Sequence, residues 1–141
     1  MKKLISILVV VLFAVSAMAQ VSSQSGKLET IKSFYMGTCK LIKVEKEGTV
    51  TYHITALSVN AISHTLTIPL GDEKAAVALL TSLVEYKPTK GERVNLNNED
   101  GNTANYWKRN STWQIYGRGG VRYISVGRKE LSTMAKVIGG K

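Results

Sequence analysis

The stretch HTLTIPLGDEKAAVALLTSLVEY, residues 64–86, decides the fold class, because its hydrophobic period changes halfway along. Over residues 64–70 the apolar side chains alternate, with Leu66, Ile68 and Leu70 on one face, the period of a half-buried strand. Pro69 has no N–H to give a ladder, so this strand is expected at a sheet edge or at its own end. From Asp72 onward, Ala76, Leu79, Leu80, Leu83 and Val84 recur at helical spacing. Asp72 suits a helix N-cap, Glu73 puts negative charge in the first turn, and Pro88 stops the helix. A strand therefore runs straight into a helix through Leu70-Gly71-Asp72.

On the N-terminal side, residues 40–45 and 49–57 form a predicted hairpin around Lys46-Glu47-Gly48. A two-residue turn at Glu47-Gly48 would set Lys43 opposite Tyr52, with charge on the apolar face. A three-residue loop with Gly48 left-handed sets Val44 opposite Val50 and Ile42 opposite Tyr52, and is the expected register. On the C-terminal side, residues 93–98 and 103–108 flank Asp100-Gly101, a two-residue hairpin signal. Strands at 112–116 and 121–126 follow, and Gly127 leads into a second helix at 128–138 with Leu131, Met134, Ala135 and Ile138 on one side. The expected fold is α+β: an antiparallel sheet of about seven strands with two helices, in the order βββα then ββββα, the helices packed on one sheet face. The segment Tyr123-Ile124-Ser125-Val126-Gly127-Arg128 echoes 67–72, an echo that a generic strand-to-helix turn explains without a duplication.

The chain ends frame this domain. Lys2 and Lys3, the apolar run 4–15 and Ala17-Met18-Ala19 make residues 1–19 a signal peptide, with cleavage before Gln20. The apolar run is shorter than the ~20 residues a spanning helix needs. Export, to the periplasm or outside a bacterial cell, is therefore expected, with no membrane span after cleavage. Residues 20–33 read as a flexible leader, although 27–33 carry no clear period, and residues 34–141 as one domain. Removing 19 of 141 residues leaves 122, enough for one modest core. Cys39 is the single cysteine, so no internal disulfide can form. It reads as a buried, inert thiol.

Charge is lopsided. Residues 21–86 hold six lysines against six acids, whereas 87–141 hold eleven basic residues against four acids, a net of +7, and all five arginines lie there. Lopsided positive charge attracts anionic partners. In the same region Tyr106, Trp107, Trp113, Tyr116 and Tyr123 are interleaved with Lys108, Arg109, Arg118 and Arg122.

Strand parity, with a three-residue loop at 109–111, sets Trp107 opposite Trp113. It collects Val94, Leu96, Trp107, Trp113, Ile115, Ile124 and Val126 on a core face, and Tyr106, Lys108, Gln114, Tyr116 and Tyr123 on a polar face. The expected ligand-binding residues are Tyr106, Lys108, Arg109, Tyr116, Arg118 and Tyr123. Tyrosines stack on planar or sugar faces and arginine forks grip carboxylates or phosphates. Export argues against nucleic acid, so an anionic glycan or envelope polymer is the expected partner. The alternative is a structural or assembly protein that binds another protein through a sheet face or edge. An enzyme, the third reading, would need residues such as His53, Cys39 and Asp72 brought together from distant elements. No local catalytic, cofactor or zinc-ligand spacing is present, so no cofactor, metal or catalytic residue is assigned.

Overall fold

The computed structural model describes residues 26–61, 63–89 and 91–140, apart from the side chain of Lys108. The expected signal peptide and residues 20–25 lie outside the described residues. The α+β class holds, with two differences in architecture. Among the described residues there are eight strands, not seven, and they form two four-stranded antiparallel sheets, not one.

The first sheet runs in order β1 (Lys27–Phe34), β2 (Cys39–Lys46), β3 (Thr49–Leu57), β4 (Thr65–Gly71), followed by helix α1 (Glu73–Glu85). The second runs β5 (Arg93–Asn95), β6 (Thr103–Trp107), β7 (Thr112–Tyr116), β8 (Tyr123–Gly127), followed by helix α2 (Arg128–Gly139). The eighth strand is β1, which begins inside the stretch expected to be leader. Its burial is slight, which is why its sequence shows no apolar alternation. With β1 in place, both halves share one ββββα order, and 67–72 and 123–128 each run from a fourth strand into a helix.

Helix starts follow the sequence. The Asp72 carboxylate accepts from the Ala75 N–H at 2.9 Å, and α1 buries Ala76, Leu80 and Leu83. Helix α2 buries Leu131, Met134 and Ile138 and ends on Gly140 in the left-handed region. Pro69 stands on β4, an edge strand of its sheet. The helices do not lie on one face of one sheet. They pack on each other and share a single core with the inner faces of both sheets, including Leu41, Ile54, Ile68, Trp113, Ile115, Ile124 and Val126. No helix among the described residues is long and apolar enough to cross a membrane.

Four registers differ from expectation. At the first hairpin the turn has two residues, both left-handed (Glu47 φ 52°, Gly48 φ 77°), so Glu45 faces Val50, Lys43 faces Tyr52 and Leu41 faces Ile54. The long stem of half-buried Lys43 shares the apolar face. Between β5 and β6 the connection spans residues 96–102, so Val94 faces Ala104 and not Trp107. Between β6 and β7 a 3₁₀ turn at Lys108–Asn110 plus Ser111, left-handed at φ 51°, makes a four-residue connection. Tyr106 therefore faces Trp113, and Trp107 faces Thr112. That one-residue slip exchanges the two aromatics: Tyr106 joins the inner face and Trp107 the outer. Trp113 is fully buried and Trp107 is 50% exposed. At β7–β8, parity with a loop centred on Arg118-Gly119 sets Trp113 opposite Ile124 and Ile115 opposite Arg122; the structure instead sets Trp113 opposite Val126 and Ile115 opposite Ile124, a shift of two residues that keeps the faces.

The halves clasp each other through their loops. The Gly127 N–H at the end of β8 donates to the Tyr35 hydroxyl at 3.0 Å. Reciprocally, the Asn98 amide donates to the Pro69 carbonyl, near the end of β4, at 2.8 Å. The Val59 N–H also donates to the Tyr123 carbonyl at 2.8 Å, which covers part of the β8 edge.

Candidate functional site

The second half holds an open cleft of about 880 Å³ between the segment that joins α1 to β5 and the ends of β6 and β7, lined in part by Glu92, Asn105, Tyr106, Trp107, Gln114 and Arg128. That volume lies in the range of small-ligand sites. The cleft exists because β5 has only three residues, so β6 from Tyr106 onward has no strand beside it on that edge.

The wall of the cleft is pinned in place. Tyr86, just past the end of α1, donates a hydrogen bond from its hydroxyl to a Glu92 carboxylate oxygen at 2.5 Å, while the other oxygen accepts from the Thr89 N–H at 2.9 Å. The hydrogen bond to Glu92 raises the Tyr86 pKa, and the same bond holds the Glu92 carboxyl below its usual range. Arg128, the first residue of α2, donates through Nη2 to the Tyr86 carbonyl and lies over the Tyr106 ring, 4.2 Å from its centre. Tyr106 in turn packs on Trp113, with ring centres 5.2 Å apart, and the indole N–H of Trp113 donates to the Leu83 carbonyl at 2.8 Å. One chain of contacts thus runs from the core to the cleft.

Two polar atoms in this lining are buried and have no hydrogen-bond partner among the described residues: Asn105 Oδ1 and Arg128 Nε. Leaving a buried polar atom unsatisfied costs about 1–3 kcal/mol. A ligand is one way to recover that energy, and one atom wants a donor while the other wants an acceptor.

The outer face of the second sheet continues from the cleft in rows two residues, or about 7 Å, apart. Trp107 stands in the first row beside Thr112. Arg93, Asn105, Gln114 and Ser125 form the second, and Asn95, Thr103, Tyr116 and Tyr123 the third. In the third row the Tyr116 and Tyr123 rings lie 5.3 Å apart, and the Arg93 guanidinium sits 4.2 Å above Tyr116. The face therefore reads aromatic, amide and cation, aromatic.

The sequence-derived candidates are distributed over this region. Tyr116 and Tyr123 stand together on the outer face. Tyr106 is not on it: the register slip turns it inward, half-buried beneath Arg128. Arg109 is exposed just past Trp107, and Lys108, whose side chain is outside the described atoms, precedes it. Arg118 is apart on the β7–β8 loop, 81% exposed and 3.3 Å from the Asp100 carboxylate. Sequence reasoning assigned Trp107 to the core and left out Arg93, Asn105, Gln114 and Arg128. For Trp107 the signal present in the sequence was the polar run Lys108 to Ser111, long enough for a four-residue connection.

Other reactive groups stay apart. Cys39 is buried on the inner face of the first sheet, and its thiol is pushed up to about 11 by burial, with Glu130 adding repulsion. His53 is on the opposite face, 3.0 Å from the Thr51 hydroxyl, and Asp72 caps α1. Among the described residues no three His, Cys, Asp or Glu side chains gather as a metal site would require. No family model, curated protein or solved structure matches this chain.

Proposed function

We propose that this protein is exported and binds an anionic glycan or envelope polymer on the outer face of β5–β8 and in the adjoining cleft. The observation that carries the reading is Trp107, half exposed at a cleft whose lining holds the unpartnered Asn105 and Arg128 atoms. An indole face stacks on the apolar side of a sugar ring, planar amides bond to its hydroxyls, and Arg93 and Arg109 meet its carboxylates. Tyr116 and Tyr123 extend the platform by about 13–14 Å, four residues along a strand, which suits a chain better than a single sugar.

Alginate oligosaccharides, which carry carboxylates, and neutral cello-oligosaccharides would be titrated into the processed protein at low and moderate salt. The expected result is tighter binding of the acidic chain, weakening with salt, and a loss of about tenfold or more in Trp107→Ala, the loss of about one stacked ring. Equal affinity for both chains, or an unaffected Trp107→Ala, would overturn the reading. Intact mass of protein recovered outside the cytoplasm should correspond to a chain starting at Gln20, and retention of residues 1–19 there would remove the export part.

A protein-partner reading rests on a different feature. Met36 is fully exposed, held out by left-handed backbone at Tyr35 and Met36, beside the exposed Leu57. It predicts binding that survives salt and is lost in Met36→Ser.

A further inference from the structure

We infer that Arg93 and Tyr116 form the subsite that reads the acid of the ligand, Arg93 gripping a carboxylate and Tyr116 acting as the residue that positions it. The inference rests on the glycan reading above and deepens it: the acid is recognised at one fixed guanidinium, not by the diffuse charge of residues 87–141. The geometry sets Arg93 apart from the other four arginines. Arg118 is paired with Asp100. Arg128 is tied to the Tyr86 carbonyl and lies on Tyr106. Arg109 and Arg122 are exposed on connections. Arg93 starts on β5, crosses β6 and lays its guanidinium 4.2 Å from the centre of the Tyr116 ring on β7. Tyr116 is itself braced by Tyr123, with ring centres 5.3 Å apart. Arg93 Nη1 is 3.9 Å from the place a Cβ would take on Gly120, and neither Gly119 nor Gly120 has a side chain to cover it. An exposed arginine ordinarily loses rotamer freedom when it binds. A ring beneath the guanidinium takes part of that loss in advance.

No side-chain carboxylate of the chain fills this fork. All ten acidic residues lie among the described residues, and none pairs with Arg93. Of the four in residues 87–141, Glu92 holds Tyr86 and Thr89, and Asp100 holds Arg118. Glu130 lies against Tyr35 and Gly127, and Glu99 acts on His53 through its charge. A guanidinium presents parallel N–H groups that match the two oxygens of a carboxylate. A sulfate would keep a third oxygen that a single fork does not meet. The ligand class is therefore a uronate-bearing chain, its carboxylate on Arg93 and its sugar ring beside Tyr123.

Alginate and neutral cello-oligosaccharides of matched length would be titrated into the processed wild type, Arg93→Lys and Arg122→Lys, both of which keep the charge. The preference for alginate, the ratio of the two affinities, is expected to fall about tenfold in Arg93→Lys, the scale of one charge-assisted hydrogen bond, and to hold in Arg122→Lys. Tyr116→Leu removes the ring and should lose the same preference, while Tyr116→Phe keeps the ring face and should retain it. An unchanged preference in Arg93→Lys, or an equal fall in Arg122→Lys, would overturn the inference and leave the glycan reading to stand on Trp107. A dextran sulfate oligosaccharide bound more tightly than alginate through Arg93 would overturn the carboxylate assignment. A wild type that binds neither alginate nor the neutral chain would overturn both readings. Arg93 is exposed, so its lysine variant keeps the fold and decides the outcome even where Tyr116→Leu does not fold.

Discussion

Trp107 and Trp113 are chemically identical and separated by one short connection, yet their surroundings assign them opposite duties. Trp113 is fully buried and donates to the Leu83 carbonyl. Trp113→Ala should destabilise the protein by about 3–5 kcal/mol, from lost transfer energy and the cavity left behind. Trp107→Ala should change stability by no more than about 0.5 kcal/mol, as exposed substitutions do. Urea unfolding of the two variants checks both, and a large loss in Trp107→Ala would mean that its ring is structural. His53 gives a second residue-level prediction. Burial lowers its pKa below 6.5, against the opposing pull of Glu99 and Asp100. The unfolded chain therefore takes up the proton first as pH falls. Stability is complete above about 6.5 and declines as the pH drops toward the lower folded value. Urea midpoints between pH 7.5 and about 5.5 should fall in the wild type and flatten in His53→Gln. An equal slope in both would assign the effect to other groups.

Secondary elements were far more legible than their pairing. Both helices and their buried faces follow from Asp72, the apolar spacing and the closing Pro88, whereas the left-handed Gly140 cap of α2 was not read from the sequence. Strands β2–β4 and β6–β8 follow from alternation. At the β2–β3 and β6–β7 hairpins register failed because a residue other than glycine takes the left-handed region. Parity alone favoured a single left-handed Gly48, but Glu47 adopts that conformation as well, and Ser111 does so after the 3₁₀ turn. Each case changes a loop length by one residue, which is enough to turn Tyr106 inward and Trp107 outward. The cleft itself was not legible, since it arises from how short β5 is and from a tertiary contact between Arg128 and Tyr86. The strand-to-helix turn offers a prediction at this scale. Gly71 has φ 94°, and a Cβ there would stand 2.9 Å from the Ala75 Cβ, whereas Gly48, at φ 77°, has nothing within 4 Å. Gly71→Ala should cost about 2–4 kcal/mol, strain plus a clash, and Gly48→Ala about 1–2 kcal/mol, strain alone. Thermal or urea unfolding would rank them, and the reverse order would contradict the packing at the head of α1.

The molecule as a whole repeats one frame, and the repeats differ where chemistry would occur. Each half ends its second strand at the same point of the frame: Lys46 pairs with Thr49 in one, Trp107 with Thr112 in the other. One pair earlier in the inner row of the same outer face, Val44 faces Thr51 where Asn105 faces Gln114. At the head of the helix, Asp72 caps the first where Arg128 opens the second. The first half is electrically neutral over residues 21–86, while the second carries the excess positive charge. The clasp through Tyr35 and Gly127, and through Asn98 and Pro69, lets one frame brace the other. Redundancy of this kind separates two demands that a single sheet must meet together. One half can keep the threonine-rich, neutral surface that suits a support, while the other carries aromatics and arginines without loss of the shared core. Variation between close relatives of this chain would accordingly fall unevenly, tolerated on the outer face of β1–β4 and restricted on that of β5–β8.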